Sequence, residues 1–310
     1  MIRLSRIDHV RLRVDDLDEA SPRWCAQFGL VERSRADGVA RLACDDEPYC
    51  LELSTADEGP PGIEHAGYEL HRDCPREDAR SHLDAAGVAV EDRDGGLLCR
   101  DLEGNGVHLL PARERSERER HVQHARPAAG VPGAPRKLGH VNFLTARIAD
   151  QARFYEDVLG MKLSDRLGEI GMWFHINSDH HVMALVDAGY AHPHHLAFEY
   201  VDFGHKIAAL DHLARHGRWL GWGPARHGIA GNIASYVRIV EEECFVELYC
   251  DMERLDDDHE PRTYEDDRYS SNTWGPLPPR SYFRFDAEAI QSERDSLETL
   301  GVPLAPVAGR

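Results

Sequence analysis

The sequence lacks several features that mark membrane, secreted or nucleic-acid-binding proteins. No apolar run approaches the roughly 20 residues that span a bilayer, and the opening MIRLSRIDHV has no apolar core of a secretory signal. Positive charge is scarce, because 36 Lys and Arg are outnumbered by 55 Asp and Glu, which gives a formal net charge of −19. Nucleic-acid binding requires a positive surface. We therefore expect a cytoplasmic protein that binds neither nucleic acid nor membrane.

Cysteine usage argues against two further kinds of site. The seven cysteines are odd in number and include no CxxC pair, which disfavours both a disulfide framework and a thiolate zinc site. Hydrophobic residues make up 42% of the 310 residues, which suffices for a packed core. This length suits two domains of ordinary size or one domain built from repeated halves.

The most informative feature is an internal repeat. Three segments of the first half match three segments of the second: 7–12 with 138–143, 63–70 with 193–200 and, more loosely, 99–110 with 237–249. The matches bring side chains that can bind metal into correspondence: His9 with His140, His65 with His195, and His108 with Glu247. The interval is nearly equal for the first two pairs and longer for the third, which an insertion in a loop explains.

Each half divides again into a strand, a helix and several strands. Residues 17–28 and 203–217 have the apolar spacing of helices, whereas strings such as YCLELS and FVELYC alternate with period two. We predict an α+β fold of four βαβββ modules paired into two domains. The predicted divisions are a first domain, a charged and then Pro-, Gly- and Ala-rich linker, a second domain and a tail: 1–112, 113–136, 137–256 and 257–310.

A candidate metal site lies in the second half. His140 and His195 fall near the start of the first strand of a module, and Glu247 falls on the last strand of the fourth module. In a curved sheet of paired modules, these strands converge on one cavity. Two imidazoles and one carboxylate on one face suit Fe(II) and leave open positions for substrate and O2. Because 19 histidines occur, the triad alone is weak support, and its coincidence with the repeat strengthens it.

Several short motifs carry a family resemblance: LGHVNF, HVMAL, HHLAFEY, GPARHG, and Tyr236 followed by VELY. In this order they resemble the type I extradiol ring-cleavage dioxygenases of the vicinal oxygen chelate superfamily, especially the catechol 2,3-dioxygenase and homoprotocatechuate 2,3-dioxygenase branches. The resemblance covers most of the chain and extends to WGPLPPRSYF in the tail. It implies a non-catalytic first domain, a catalytic second domain with the tail over it, and cleavage of a catechol-type diol by O2 to a hydroxymuconic semialdehyde-type product.

The resemblance also implies the metal ligands. His140, His195 and Glu247 match ligands of Fe(II), with Mn(II) as the alternative metal. His195 has a neighbouring histidine, His194, and strand alternation directs neighbours to opposite faces. The register of the LAF motif that follows selects His195. A homo-oligomer is expected from the resemblance alone.

Five residues around the metal receive roles by the same transfer. His181, chosen over its neighbouring histidine by register, matches an acid/base beside the metal. His227 matches a histidine near substrate and oxygen, and Tyr236 matches a tyrosine that hydrogen-bonds the bound intermediate. Asn142 and Trp173 match positions that line the substrate pocket. The resemblance implies that a catechol-type substrate and O2 are the partners of this site.

The chain departs from the family pattern at two places. The stretch RIVEEECFVE makes the connection between Tyr236 and Glu247 one residue longer than usual, so the hairpin before the ligand must differ. Tyr269 and Ser270 stand where homoprotocatechuate enzymes carry paired arginines for a substrate carboxylate. A neutral or larger catechol therefore fits the sequence better than a carboxylated one.

Alternatives remain open at this stage. Three histidines can bind a metal, but we interpret His9, His65 and His108 as remnants of the duplication, since the resemblance implies a first domain without metal. A glyoxalase-type isomerase or an epimerase on the same scaffold would use more carboxylate ligands. A non-catalytic protein that sequesters an aromatic compound would not require the metal triad.

Overall fold

A computed structural model describes residues 1–44, 48–55, 59–114, 133–289, 291–292 and 295. Most of the predicted linker and the last part of the predicted tail lie outside these residues, so the domain boundaries stay predictions. The seven cysteines, all within the described residues, form no disulfide. Within the described ranges, no helix combines the length and apolar character needed to cross a membrane.

The first half consists of two modules that share one sheet. The elements of the first module are β1 (Leu4–Val14), α1 (Leu17–Phe28), β2 (Val31–Ala36), β3 (Val39–Ala43) and β4 (Leu51–Thr55). Those of the second are β5 (Gly62–Leu70), α2 (Arg76–Ala85), β6 (Val90–Arg93), β7 (Gly96–Arg100) and β8 (Gly106–Leu110). The eight strands are ordered β2-β3-β4-β1-β5-β8-β7-β6.

The second half repeats this arrangement. Its third module comprises β9 (Lys137–Thr145), α3 (Ile148–Arg153) with a π-helical turn (Phe154–Val158), β10 (Lys162–Leu167), β11 (Gly171–His175) and β12 (Met183–Asp187). Its fourth comprises β13 (His192–Glu199), α4 (Phe203–Arg215), β14 (Leu220–Arg226), β15 (Ile233–Ile239) and β16 (Cys244–Cys250). After them follow β17 (Arg262–Tyr264), the short helix α5 (Arg268–Ser271) and a 3-10 turn (Arg280–Phe283).

The two sheets have equivalent topologies. The second is ordered β14-β15-β16-β13-β9-β12-β11-β10-β17. Read from β10 to β14, its first eight members occupy the places of β2 to β6 in the first sheet. This confirms the predicted α+β fold of four βαβββ modules. The edge strand β17 was not predicted, because it arises in the acidic segment that we assigned to the tail. It pairs in parallel with β10.

Short sequence signals determine where the helices begin and end. The Asp16 side chain accepts hydrogen bonds from the first amides of α1, and the helix ends at Gly29 in the left-handed conformation, with φ of 65°. Asp202 caps α4 in the same way. On α1, Trp24 and Phe28 are fully buried in the core. Burial of an aromatic side chain of this kind contributes on the order of 2–3 kcal/mol.

Polar side chains join the two halves next to the hairpin between β15 and β16. Its turn carries Glu241 and Glu242. Arg23 of α1 donates from Nη1 to Glu242 Oε2 over 3.0 Å, and both side chains are almost completely buried. Arg218, which follows α4, binds Glu241 through two hydrogen bonds of 3.0 and 2.9 Å and also donates to Gln27 of α1 over 2.9 Å. The altered turn is therefore part of the contact between the halves.

Candidate metal centre

Three neighbouring strands of the second sheet carry the predicted ligands. His140 lies on β9, His195 on β13 and Glu247 on β16. Ala197 on the central strand β13 pairs with His140 on one side and with Glu247 on the other. His195 lies two residues before Ala197, so its side chain points to the same face. The small alanine leaves the space between the three larger side chains open.

The donor atoms of these side chains converge. Glu247 Oε2 lies 3.1 Å from His140 Nε2 and 3.2 Å from His195 Nε2, and the three ligand atoms lie within 4.8 Å of one another. His195 Nε2 is buried without a hydrogen-bond partner. The other carboxylate oxygen, Glu247 Oε1, accepts a hydrogen bond of 2.9 Å from Asn232 Nδ2. An inward ring nitrogen without a partner, beside a fixed carboxylate, fits a divalent metal ion.

Electrostatics favour the metal-binding forms of Glu247 and His195. Burial alone would raise the pKa of Glu247, but His140 and His195 outweigh it and hold this pKa well below its usual range. Burial also lowers the pKa of His195. An ionised carboxylate and neutral imidazole lone pairs are the forms in which these groups bind metal.

The triad lies at the wall of a cavity of about 310 Å³. All eight side chains predicted from the sequence line this cavity: His140, Asn142, Trp173, His181, His195, His227, Tyr236 and Glu247. Its volume is at the small end of the range for ligand pockets. It therefore suits a single aromatic ring better than a fused or biaryl compound.

His181 is the end of a buried polar chain. Its ring centroid lies 4.2 Å from that of His140, and its Nδ1 lies 3.1 Å from Nδ1 of His180. His180 Nε2 in turn lies 2.9 Å from Asp165 Oδ2, which also accepts a 2.7 Å hydrogen bond from Arg262. Burial raises the pKa of Asp165, but the hydrogen bonds from His180 and Arg262 outweigh it and lower this pKa. Asp165 is therefore ionised at neutral pH.

His227 and Tyr236 form a second polar pair in the cavity. Tyr236 lies directly opposite Glu247 in the antiparallel β15–β16 ladder, so the longer turn leaves it beside the ligand. The Tyr236 hydroxyl is 2.8 Å from His227 Nε2. His227 Nδ1 is 3.2 Å from the Ser271 carbonyl oxygen, which can only accept, so Nδ1 carries the proton and Nε2 accepts from Tyr236. Burial, and then the charge of Glu247, raises the pKa of Tyr236 well above its usual value.

Sequence reasoning missed several residues of the site. Asn232 orients the ligand carboxylate, and Trp222 stacks on Tyr236 with ring centroids 5.1 Å apart and an angle of 9° between the rings. Tyr282, from the predicted tail, lines the cavity, and its carbonyl oxygen is 2.8 Å from His194 Nε2. The tail thus forms one wall of the cavity. The aromatic residues of WGPLPPRSYF were the available signal for the tail's part in the site, but this string has no periodicity that assigns positions to its side chains.

The charge of the cavity lining is acidic. Among its described residues, Glu247 and Asp266 are the ionisable carboxylates, and there is no Lys or Arg. The side chain of Arg268 lies outside the described part of the chain. Tyr269 is exposed, and Ser270 lines the cavity. A substrate carboxylate would therefore meet no cation among the described lining residues.

Two other groups of potential ligands occur in the described part of the chain. One consists of His9, His65 and His108 in the first sheet, and all three are buried. Burial lowers the pKa of His65 to about 3. The other group combines Asp165 and His180 with a second carboxylate, Glu253.

Comparison with known proteins gives a consistent result. The model of the Glyoxalase/Bleomycin resistance protein/Dioxygenase superfamily matches residues 137–239. Metapyrocatechase 2 of Cupriavidus necator is 31% identical over 257 residues, which cover 74% of this chain and 76% of that protein. Metapyrocatechase of Geobacillus stearothermophilus is 22% identical over 254 residues, covering 76% and 77%, respectively.

Solved structures with the same fold have more than one named activity. Homoprotocatechuate 2,3-dioxygenase from Arthrobacter globiformis has a TM-score of 0.76 at 19% identity, covering 91% of each chain. The 2,3-dioxygenase LapB from Pseudomonas sp. KL28 has a TM-score of 0.73 at 22% identity, covering 87% of this chain and 100% of that chain. The Mn(II)-bound glyoxalase from Novosphingobium aromaticivorans has a TM-score of 0.75 at 23% identity, covering 90% and 94%. At these identities the likeness establishes the fold.

Proposed function

This chain belongs to the extradiol ring-cleavage dioxygenases of the vicinal oxygen chelate superfamily, and we propose that it opens a catechol ring with O2 at one Fe(II) held by His140, His195 and Glu247. The observation that carries this assignment is the convergence of two imidazoles and one carboxylate at the wall of a cavity. This donor set suits Fe(II) and leaves coordination positions open. Mn(II) satisfies the same donors and is the alternative.

When bound, the metal supplies Lewis acidity to the diol oxygens and a route for electron density between ring and O2. The protein orients the ligands. Asn232 holds one oxygen of the Glu247 carboxylate, which leaves the other toward the two imidazoles. Backbone pairing fixes the relative positions of the strands that carry these ligands.

We assign His181 as the base that takes a proton from the diol. The ionised Asp165 accepts a hydrogen bond from His180 Nε2–H, which leaves the lone pair of that imidazole on Nδ1. That lone pair accepts from His181 Nδ1–H. The remaining ring nitrogen of His181, Nε2, therefore carries a lone pair. A histidine in this tautomer can accept a proton and return it later in the reaction.

His227 and Tyr236 act together on the opposite wall. In the arrangement described above, the Tyr236 hydroxyl donates a hydrogen bond to His227 Nε2. Its oxygen therefore still has lone pairs that can accept a hydrogen bond from a bound hydroxyl. The stacking of Trp222 fixes the ring plane of Tyr236. Asn142 and Trp173 complete the substrate-binding set, and we propose that they contact the aromatic ring.

We propose a neutral single-ring catechol with a short apolar substituent as the substrate class. Apolar side chains such as Ile170, Val186 and Ile229 line the cavity, and they offer no positive charge to a substrate carboxylate. Burying an unpaired charge is costly. We therefore expect methylcatechols to be turned over with a kcat/KM at least about tenfold above that of 3,4-dihydroxyphenylacetate, a difference of about 1.4 kcal/mol.

The test uses protein purified without oxygen and loaded with Fe(II) or Mn(II). Catechol, methylcatechols and 3,4-dihydroxyphenylacetate are added with air, and O2 uptake and the yellow ring-fission product are measured. Absence of O2 uptake with every diol in iron-loaded protein refutes the proposal. Isomerisation of a hemithioacetal by the same protein would favour the glyoxalase alternative.

We further propose, from family membership, a cytoplasmic homo-oligomer. Cell fractionation and light scattering of the purified protein test these two statements. A monomer at micromolar concentration contradicts the second.

A further inference from the structure

The first sheet repeats the geometry of the metal centre with different side chains. Gly67 on β5 pairs with His9 on β1 and with His108 on β8, as Ala197 pairs with His140 and Glu247. His65 lies two residues before Gly67 and points to the same face. His9 Nε2 is 3.0 Å from His65 Nε2, and one ligand atom from each histidine falls within 4.8 Å of the others.

Glycines leave the space that these rings occupy. A Cβ on Gly67 would overlap the His9 ring, and a Cβ on Gly96 would overlap both the His108 ring and the Leu109 carbonyl oxygen. Neither glycine has a positive φ, so the close approach of an imidazole explains them better than backbone conformation does. The histidines are at most 2% exposed. The sheet is therefore shaped around three packed imidazoles.

Groups on the outer side orient two of the rings. The Asp8 carboxylate is 3.0 Å from His9 Nδ1, so this nitrogen donates and Nε2 keeps a lone pair toward His65. The Arg93 carbonyl oxygen is 3.0 Å from His108 Nε2, so Nε2 of His108 is protonated and the lone pair lies on Nδ1. That Nδ1 is buried without a hydrogen-bond partner. Partners of this kind orient metal-binding histidines in proteins.

A carboxylate stands next to the three imidazoles. Glu52 Oε2 on β4 is 3.6 Å from His9 Nε2, and the residue is 2% exposed. Its other oxygen accepts a 2.7 Å hydrogen bond from Arg41, and Arg11 Nη1 lies 3.7 Å from Oε2 itself, so Glu52 is already partly neutralised. We expect it to be the weakest of the four donors.

We propose that His9, His65 and His108, with Glu52 as a fourth donor, bind a divalent transition metal ion of the Zn(II) type, separate from the catalytic centre. Three imidazoles and one carboxylate match the donor types and the four-coordinate geometry that Zn(II) prefers. Four protein donors close the coordination shell, so the role is structural. This replaces our interpretation of the three histidines as remnants of the duplication.

The group of Asp165, His180 and Glu253 shows why proximity of ligand atoms alone does not identify a metal site. Asp165 and Glu253 both accept hydrogen bonds from the Arg262 guanidinium, at 2.7 and 2.6 Å from Nη2. A cation is therefore already bound between these carboxylates. In the first-half group, by contrast, His108 Nδ1 lacks a hydrogen-bond partner.

The test uses the full chain with the catalytic ligands disabled by His195→Gln and Glu247→Gln. Metal-free protein is titrated with Co(II), and bound metal, visible d–d absorption and the melting temperature are measured. We expect one Co(II) per chain, tetrahedral absorption bands and a higher melting temperature, because the metal binds only the folded state. Absence of stoichiometric Co(II) overturns the proposal.

Adding His65→Gln to this background should abolish the bands, whereas His71→Gln, a partly exposed histidine of the same half, should retain them. Bands that survive His65→Gln place Co(II) elsewhere and also overturn the proposal. His65→Gln alone, with the catalytic ligands intact, controls for folding. Loaded with Fe(II), it should keep ring-cleavage activity. Loaded with Zn(II) instead, at both sites, it should bind one equivalent where the unmodified chain binds two, and an unchanged Zn(II) content contradicts the assignment.

Discussion

Replacing Asp165 by Asn tests whether a residue outside the cavity fixes the protonation of His181. The carboxylate accepts from His180 Nε2 over 2.9 Å. An amide there can donate instead, which puts the His180 proton on Nδ1. His181 Nδ1 then has to accept, and its proton moves to Nε2. The variant therefore keeps the imidazole in place but presents a donor to the diol instead of a base.

The expected fall in kcat follows from this change of tautomer. General-base catalysis contributes roughly 10²–10⁴ in rate, and an incorrect tautomer removes most of that contribution without removing the ring. We expect kcat to fall about 100-fold, or about 2.7 kcal/mol. KM should change little, because Asp165 does not line the cavity.

The assay is O2 uptake at saturating catechol, with metal content measured on the same sample. Glu253→Gln is the matched control, since it also replaces a carboxylate bound to Arg262. Its contact with His180 is the backbone hydrogen bond from His180 N to the Glu253 carbonyl oxygen, which the substitution retains. A nitrocatechol, which is more acidic and depends less on a base, should show a smaller loss. If Asp165→Asn keeps its metal and a kcat within about threefold of the unmodified enzyme, the argument from tautomers is wrong.

Three other predictions use different parts of the structure. His181→Phe should slow turnover by at least about 100-fold and retain the metal, and metal loss by elemental analysis would mean that a ligand is misassigned. Glu242→Gln removes the most buried of the carboxylates that pair with Arg23 and should lower the free energy of unfolding, measured with urea, by about 3–5 kcal/mol. Loss of the more exposed partner by Glu19→Gln should lower it by at most about 1 kcal/mol; equal costs would contradict this. Burial lowers the pKa of Lys206 to about 8, so its charged form destabilises the fold below pH 8 and this cost fades toward pH 10.5. Relative to Lys206→Met, the unmodified protein should therefore gain about 2–3 kcal/mol between pH 7 and pH 10, and a constant difference would refute the burial argument.

The convergence of His140, His195 and Glu247 could be predicted because the duplication repeats strand positions. His140, His195 and Glu247 occupy equivalent places to His9, His65 and His108, and period-two alternation directs each set to one face. Register across strands is a tertiary property, so the placing of Tyr236 opposite Glu247 needed the structure.

Contacts across long sequence separations could not be derived in the same way. Asn232 lies in a loop, and Tyr282 lies in a proline-rich segment without periodicity, so no pattern indicated that both would reach the site. The pairing of His180 with Asp165 depends on how β10 lies beside β11 and β12. No sequence pattern located the aromatic side chains of the tail, and Tyr282 and Phe283 line the cavity through tertiary packing.

The turn that joins β15 to β16 has a consequence for attempts to recombine this enzyme with its relatives. Glu242 at this turn is bound to Arg23 of the first half, and the same hairpin carries Tyr236 and Glu247. A chimera that exchanges the first half must therefore bring a partner for the buried carboxylate. Without one, an uncompensated charge is left next to the strand that carries Glu247, so the first half cannot be exchanged as an independent unit.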